Sequence, residues 1–304
     1  MTGLLYEELF ERNYGVFTPA EQERIRNARI VIIGCGGIGG VVAVILARTG
    51  IGHFVLYEYD TYSPTNMNRQ IACFTDTLGV NKAAAIRDML LRINPDVEVI
   101  AHQEALKPEE ISAVLQQGDV ILPASDEWPL SIAILGAAKE QGVPAIMAYP
   151  VGALGRVSTF LPDSPYAAEC LVMPYKTPYD GLKAFMNNPD NRRTLQYYCS
   201  EGNWTQEWFA SWCESKKPHA QLCPTVWITS ALAAQEIIKL VSKKWKPVTA
   251  PHYWHITPTG ARISRFGWAR RLLSRQVRRP GGQRLLPFLH KRPWLLRLFT
   301  RLIS

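Results

Sequence analysis

Arg29-Ile30-Val31-Ile32-Ile33-Gly34-Cys35-Gly36-Gly37-Ile38-Gly39 decides the architecture of this 304-residue chain. Arg29–Ile33 is a continuous β-branched run, the pattern of a parallel strand buried on both faces. The glycines then turn the chain into Gly39–Thr49, a helix of small residues that can lie close on a sheet. A second strand, Phe54–Tyr57, ends at Glu58-Tyr59-Asp60, with Glu58 placed 24 residues after Gly34. Strand, glycine turn, helix, strand and acid together predict a nucleotide cradle. Backbone N–H groups of such a turn approach phosphates, the helix N-terminus adds a favourable field, and Glu58 accepts hydrogen bonds from ribose hydroxyls. The turn and Glu58 serve a dinucleotide and ATP equally well.

The pattern continues outward from there. Upstream, Leu4–Asn13 reads as a helix, and Thr18-Pro19-Ala20-Glu21 is a capping box that starts a helix over Pro19–Arg26. Downstream, Lys82–Ile93 is amphipathic and stops before Pro95. Val97–Ala101, Val120–Pro123 and Ala145–Ala148 read as strands, with helices at Pro108–Gln116 and Leu130–Gln141 between them. This alternation predicts an α/β fold with a doubly wound, mostly parallel, Rossmann-like sheet that binds ligands at the carboxyl ends of its strands. Residues 1–162 form the nucleotide-binding part with its N-terminal helices, and Arg156–Phe160 adds a strand. Residues 163–265 read as a crossover or insertion followed by the closing region of the same domain. Helical pieces fall near Asp180–Met186 and Trp204–Trp212. A strong helix covers Pro224–Val241, and His252–Arg265 reads as a closing strand or hairpin.

The composition, 47% hydrophobic and 20% charged, is that of a soluble globular protein. Met1–Tyr6 lacks a signal-peptide pattern, and no apolar stretch reaches the ~20 residues of a membrane span. Six scattered cysteines are no disulfide framework and point to a reducing, cytoplasmic setting. Charge is distributed unevenly. Residues 1–236 hold 18 Lys/Arg against 26 acids, a net of −8, whereas residues 237–304 hold 16 Lys/Arg and no acid. Residues 266–304 read as two amphipathic segments around Pro280-Gly281-Gly282. Arg271, Arg275, Arg278 and Arg279 share one face; Arg297 and Arg301 oppose Leu295, Leu298, Phe299 and Leu302. Such a tail suits an anionic membrane surface, RNA phosphates, a partner's acidic face, or packing against the chain's own acidic body.

Asn66-Met67-Asn68-Arg69-Gln70 and Lys82 separate ATP from NAD. A dehydrogenase needs no basic patch beyond its second strand, whereas a triphosphate enzyme must neutralise transferred and leaving phosphates. Arg69 can clamp two oxygens at once, and Asn66 and Asn68 can donate amides. Asp126 follows the strand Val120–Pro123 and faces the same crevice, where it is placed either to hold Mg²⁺ or to cap a helix.

With these residues in view, the chain resembles the superfamily of ubiquitin-activating-type (E1-like) adenylyltransferases that includes the ThiF, MoeB and HesA proteins. The matching parts are Arg12-Asn13, Gly34-x-Gly-Gly-x-Gly39, Glu58-x-Asp60, Asn66-x-Asn-Arg-Gln70, Lys82, Ile93-Asn94-Pro95, Ser125-Asp126 and the helix from Ser230 to Lys239. The resemblance implies a homodimer that uses ATP and Mg²⁺ to join a substrate carboxylate to AMP, releasing pyrophosphate. It implies nucleotide contacts from Gly34, Gly36, Gly37 and Gly39, ribose contact from Glu58 beside Asp60, phosphate contacts from Asn66, Asn68, Arg69, Gln70 and Lys82, and Mg²⁺ at Asp126. Arg12 would reach into the partner subunit's site. The implied substrate is the C-terminus of a ubiquitin-like or sulfur-carrier protein or of a precursor peptide. The alternative within the superfamily is a tRNA-modifying dehydratase that adenylates a carboxylate on a tRNA base; a more remote one is an NAD-dependent oxidoreductase. Glu58 stands where many members have Asp. The two Cys-x-x-Cys pairs of many members are missing, and the spacing of Cys213, His219 and Cys223 is poor, so structural zinc is not expected. Some relatives pass the acyl group to a cysteine; Cys199 is the candidate acceptor here, with Cys170 the other thiol in that region.

Overall fold

A computed structural model describes residues 5–189, 191, 192, 199, 202–268, 272, 275 and 281 of the chain. The amphipathic segments expected in the tail otherwise lie outside the described residues.

Eight strands form one sheet: β1 (Arg29–Ile33), β2 (His53–Tyr57), β3 (Glu98–His102), β4 (Val120–Pro123), β5 (Ala145–Val151), β6 (Leu154–Phe160), β7 (His252–Thr257) and β8 (Gly260–Arg265). Their order is β3-β2-β1-β4-β5-β6-β7-β8. The first five are parallel and the last three antiparallel. The helices are α1 (Tyr6–Leu9), α2 (Pro19–Asn27), α3 (Gly39–Arg48), α4 (Lys82–Ile93), α5 (Ile111–Leu115), α6 (Trp128–Gln141), α7 (Ala167–Cys170), α8 (Tyr179–Asn187), α9 (Gln206–Cys213) and α10 (Cys223–Ser242).

Both faces of β1, β2, β4 and β5 are covered, which is why their sequences are continuously apolar rather than alternating, whereas the edge strand β3 is partly open to solvent. Ile30, Ile32, Phe54 and Leu56 point into one core, shared with α2, α3, α4 and α10. Val31, Ile33, Val55 and Tyr57 point into the other, shared with α5, α6, α7 and α8. The chain runs from β1 toward β2 and β3 on one side and returns to β4 and β5 on the other. The crevice between β1 and β4 is therefore the topological switch point, where open α/β sheets bind ligands.

Three expectations need local correction. The helix expected at Leu4–Asn13 is α1 followed by a 3-10 turn over Glu11–Gly15, bent where Asn13 Nδ2 donates to Thr49 O at 3.0 Å. The helix expected at Pro108–Gln116 begins as a 3-10 turn, Pro108–Glu110, before α5. The strand expected at Ala145–Ala148 extends to Val151, because β6 pairs with it antiparallel along its whole length.

The segment after β6 crosses back over the C-terminal edge of the sheet. Gly152 N donates to Ala220 O at 3.1 Å, Ala153 N to Gly202 O at 2.8 Å, and Asn68 Nδ2 to Gln221 O at 3.0 Å. Residues 219–221 are thereby tied to the β5–β6 turn at one end and to the Asn68-Arg69 turn at the other. Among the described residues no helix is long and apolar enough to cross a membrane.

Candidate active site

The carboxyl ends of the parallel strands surround a cavity of about 420 Å³, a size suited to a small-molecule ligand. Gly34, Gly36 and Gly37 form its floor at the end of β1. Gly34 has φ +99°, and a Cβ there would meet the Ala124 backbone at 2.7 Å, so no other residue fits this turn. Gly39 behaves differently from the expectation. It does not line the cavity; a Cβ on it would lie 1.9 Å from Gly34 O, so it serves the packing of α3 on the turn.

Glu58 is 8% exposed at the end of β2. Its Oε2 accepts from Cys35 N and its Oε1 from Asp60 N, both at 3.0 Å. A carboxylate has about four acceptor positions, so two remain for hydroxyl donors in the cavity. Burial is the main influence on Glu58 and raises its pKa above the usual carboxylate value, against the lowering effect of the backbone donors and Lys82. One carboxylate thus ties the glycine turn to the Asp60 turn. Lys82, 6% exposed at the start of α4, donates to Asp60 Oδ2 at 3.0 Å. Asn81 caps that helix through Ala84 N and ties Glu58 O to it.

Arg69 lines the cavity on the far side of the glycine turn. Its Nη1 donates to Thr65 O at 3.0 Å and Asn68 Oδ1 at 2.8 Å, while its Nε is buried with no hydrogen-bond acceptor. Burial lowers its pKa, with no acid among the influences on it. This is a half-buried cation held by neutral oxygens, which an anion in the cavity would complete. The neighbouring amides do not reach the cavity as the sequence suggested. Asn66 Oδ1 accepts from Ser63 N and Ser63 Oγ, and Asn68 is engaged by Arg69 and Gln221. Gln70 is buried behind the turn and faces a different hollow. These three build the loop that presents Arg69.

Asp126 lines the cavity and is exposed. The helix-cap reading of it fails: Glu127 is the N-cap of α6, and Ser125 Oγ, not Asp126, accepts from Glu127 N at 3.1 Å. Glu127 in turn accepts from Tyr179 OH. Asp126 is left facing the crevice.

Arg12 is exposed on the 3-10 turn and does not line its own chain's cavity. Cys199 is half-buried and lines no part of the cavity. Cys35 is in the turn but fully buried, and burial pushes its thiol pKa up. Among the described residues no three His, Cys, Asp or Glu side chains gather as metal ligands. Sequence reasoning missed Trp212, His219, Gln221, Trp128 and Tyr149, which also line the cavity. A cluster of aromatics at residues 204–219 was the available signal.

The sequence model of the ThiF family matches residues 10–272, nearly the whole described chain. The chain belongs to the ThiF family. Two curated relatives fall within that relationship. The sulfur carrier protein adenylyltransferase of Thermus thermophilus is 31% identical over 142 residues, 47% of this chain and 52% of that protein. The tRNA threonylcarbamoyladenosine dehydratase of Haemophilus influenzae is 32% identical over 142 residues, 46% of this chain and 54% of that protein. The matches thus span about half the length of these curated relatives. Among solved structures, Escherichia coli MccB with ATP superposes with a TM-score of 0.65 at 23% identity, covering 84% of this chain and 70% of MccB. This confirms the ThiF-type Rossmann-like fold.

Proposed function

We propose that this ThiF-family chain is an ATP-dependent adenylyltransferase. A carboxylate oxygen of the substrate attacks the α-phosphorus of ATP, the bond from that phosphorus to the pyrophosphate oxygen breaks, and acyl-AMP and pyrophosphate result. The observation that carries this reading is the Arg69 guanidinium: half-buried, without an acidic partner, and opening into the same cavity as Glu58 and the glycine turn. Glu58 accepts from the ribose hydroxyls, and the N–H groups of the glycine turn approach the phosphates. Arg69 and Lys82 hold the charge that grows on the leaving pyrophosphate. The reaction needs placed charge and aligned reactants rather than a protein nucleophile. Asp126 fits Mg²⁺: it is a carboxylate in the crevice with no helix to cap, and Mg²⁺ is commonly held by one or two carboxylates plus substrate phosphates. When bound there, the ion would neutralise phosphate charge.

The substrate read here is the C-terminal carboxylate of a small carrier protein or precursor peptide. MccB has been solved with the peptide MccA, and that fold-level parallel favours a peptide. A homodimer in which Arg12 completes the partner's site belongs to this proposal, as does contact of the basic tail with a membrane surface or tRNA. The second reading is adenylation of a tRNA-borne carboxylate, favoured by the relative named as a tRNA dehydratase. ATP–pyrophosphate exchange with purified protein tests both. Exchange that depends on carrier proteins or peptides supports the first reading; exchange that depends on tRNA supports the second. Protein that binds no ATP by calorimetry overturns both.

A further inference from the structure

We propose that Trp227 is a positioning residue for Arg69, its indole N–H holding the Arg69 carbonyl so that the guanidinium meets the phosphates of the nucleotide. The proposal rests on the adenylation reading and gives the first turn of α10 a part in setting the charge at the site.

Arg69 belongs to an excursion of the chain between β2 and α4 that is closed at its base. Tyr62 N donates to Val80 O at 3.0 Å, Gly79 N to Tyr62 O at 2.9 Å, and Lys82 N to Asp60 O at 3.0 Å. These bonds seat Lys82, but the turn from Asn66 to Gln70 lies inside the excursion and takes no part in them. Two long-range hydrogen bonds tie that turn to the start of α10. Asn68 Nδ2 donates to Gln221 O at 3.0 Å and Trp227 Nε1 to Arg69 O at 2.9 Å, across 153 and 158 residues. The second lands on Arg69 itself.

The same two elements meet at the cavity floor. A Cβ on Gly37 would stand 3.0 Å from Val226 Cγ1 and 3.5 Å from Arg69 Cγ, so the Arg69 stem and the first turn of α10 lie together on the glycine turn. Further out, Arg69 Nη1 donates to Thr65 O and Asn68 Oδ1. Both acceptors belong to the excursion itself, so these bonds shape the side chain but travel with the turn. Trp227 holds the residue from outside, on a helix that is packed against the floor.

What such a tie controls follows from the chemistry of the guanidinium. Charge-assisted bonds to phosphate are short and directional, and they weaken steeply when the angle or distance departs from the best one. Releasing the Arg69 carbonyl therefore weakens phosphate contact. Nucleoside contact is held separately, because Glu58 is fixed by Cys35 N and Asp60 N. The two ends of the nucleotide thus report differently on the loss of one indole N–H.

The test needs no knowledge of the natural substrate. Trp227 is 42% exposed, so Trp227→Phe removes the N–H while keeping a ring on the surface. Calorimetry with the full chain compares ATP, with Mg²⁺ present, against adenosine. Trp227→Phe should weaken ATP about 3- to 10-fold, the worth of one hydrogen bond, and leave adenosine within about two-fold. In an Arg69→Ala background the same substitution should change ATP affinity by less than about two-fold, because the indole acts through that side chain. Unchanged ATP affinity in Trp227→Phe overturns the proposal. So does an equal loss for ATP and adenosine, which would make the indole a prop of the whole site, or a loss repeated in full without the Arg69 side chain. Arg69→Ala protein that binds ATP as wild type does removes Arg69 from the site and this proposal with it. Wild-type protein that binds neither ligand sinks the adenylation reading instead.

Discussion

At Arg69 a charge is half-buried without an acid to pair with it. It is held by two neutral oxygens and flanked by no acid, so its stabilisation comes when an anion arrives. Arg69→Ala should cut ATP–pyrophosphate exchange by about 100-fold or more, the usual loss when one charge-stabilising donor is removed. An exchange rate within a few-fold of wild type would remove Arg69 from the site. Glu58 should confer a pH signature. Its pKa is raised by burial, so it takes up a proton at a higher pH than an ordinary carboxylate and then has less capacity to accept from ribose hydroxyls. ATP affinity is expected to fall as pH drops through that raised pKa, and Glu58→Gln should flatten this limb in a calorimetric pH series. Stability moves the other way. The folded state binds this proton more tightly than the unfolded chain does, so the penalty of burying the charge is present at neutral pH and relieved on acidification. That Gly34, Glu58, Arg69, Lys82 and Asp126 line one cavity was legible in the sequence: Gly34, Glu58 and Asp126 fall just beyond strand ends that periodicity located, and Arg69 and Lys82 stand in the basic loop and helix start that follow the second strand. Gly39, Asn66, Asn68 and Gln70 were read one step too directly. Motif spacing shows that a residue belongs to a turn, but not whether it faces the ligand or builds the backbone that does. Trp212 and His219 belong to an aromatic cluster that the sequence shows, but its place at the cavity depends on long-range ties at Gly152 and Asn68 that no local pattern encodes.

Among the elements, α10 couples the site to the antiparallel half of the sheet. Its Glu236 is fully buried, yet every part of the carboxylate is used. Oε1 accepts from Lys239 Nζ at 2.6 Å and Trp254 Nε1 at 2.7 Å, and Oε2 accepts from Val248 N at 2.7 Å. One side chain thus fixes the end of the helix to β7 and to the loop before it. The same helix packs Val226 against Gly37 and sets Ser230 Oγ 3.5 Å from Gly37 O and Ile38 O, so a shift of α10 would disturb the cavity floor. Glu236→Ala leaves a half-buried lysine, an indole N–H and a backbone N–H without their acceptor, and should cost about 3–5 kcal/mol of stability. Chemical denaturation of the variant against wild type measures it; a loss under about 1 kcal/mol would mean that water replaces the carboxylate. The helix itself was plain in the sequence from its Ala- and Ile-rich pattern. Its anchoring was not, since Glu236 reads locally as one more surface acid paired with a lysine three residues on. The antiparallel strands were half legible for a related reason. The β7–β8 alternation signalled a hairpin, but nothing local told that β6 and β7 would pair across the intervening crossover.

At the scale of the whole molecule, the surface around α10 is unusually apolar. Met67, Phe74 and Trp227 surround a hollow of about 400 Å³ and remain 40–51% exposed, with Ile228 next to them on the helix. Large exposed apolar patches mark interaction surfaces. Two copies of the chain related by a twofold axis could bury this face isologously. Ile228 does not line the cavity, and Ile228→Glu should therefore shift a dimer toward monomer in analytical ultracentrifugation. Arg12 is exposed and does not line its own chain's cavity, so the proposed dimer can be tested through it. If each Arg12 completes the opposite site, Arg12→Ala and Arg69→Ala should each be nearly inactive alone but restore activity when mixed. A mixed dimer then has one site with both arginines, and random exchange of equal amounts makes half the dimers mixed, giving about a quarter of wild-type activity. If Arg12 served its own chain, no mixed dimer would hold an intact site and mixing would restore nothing. Recovery near one quarter, lost again when both variants also carry Ile228→Glu, would tie the apolar face, the dimer and the exposed arginine into one catalytic unit.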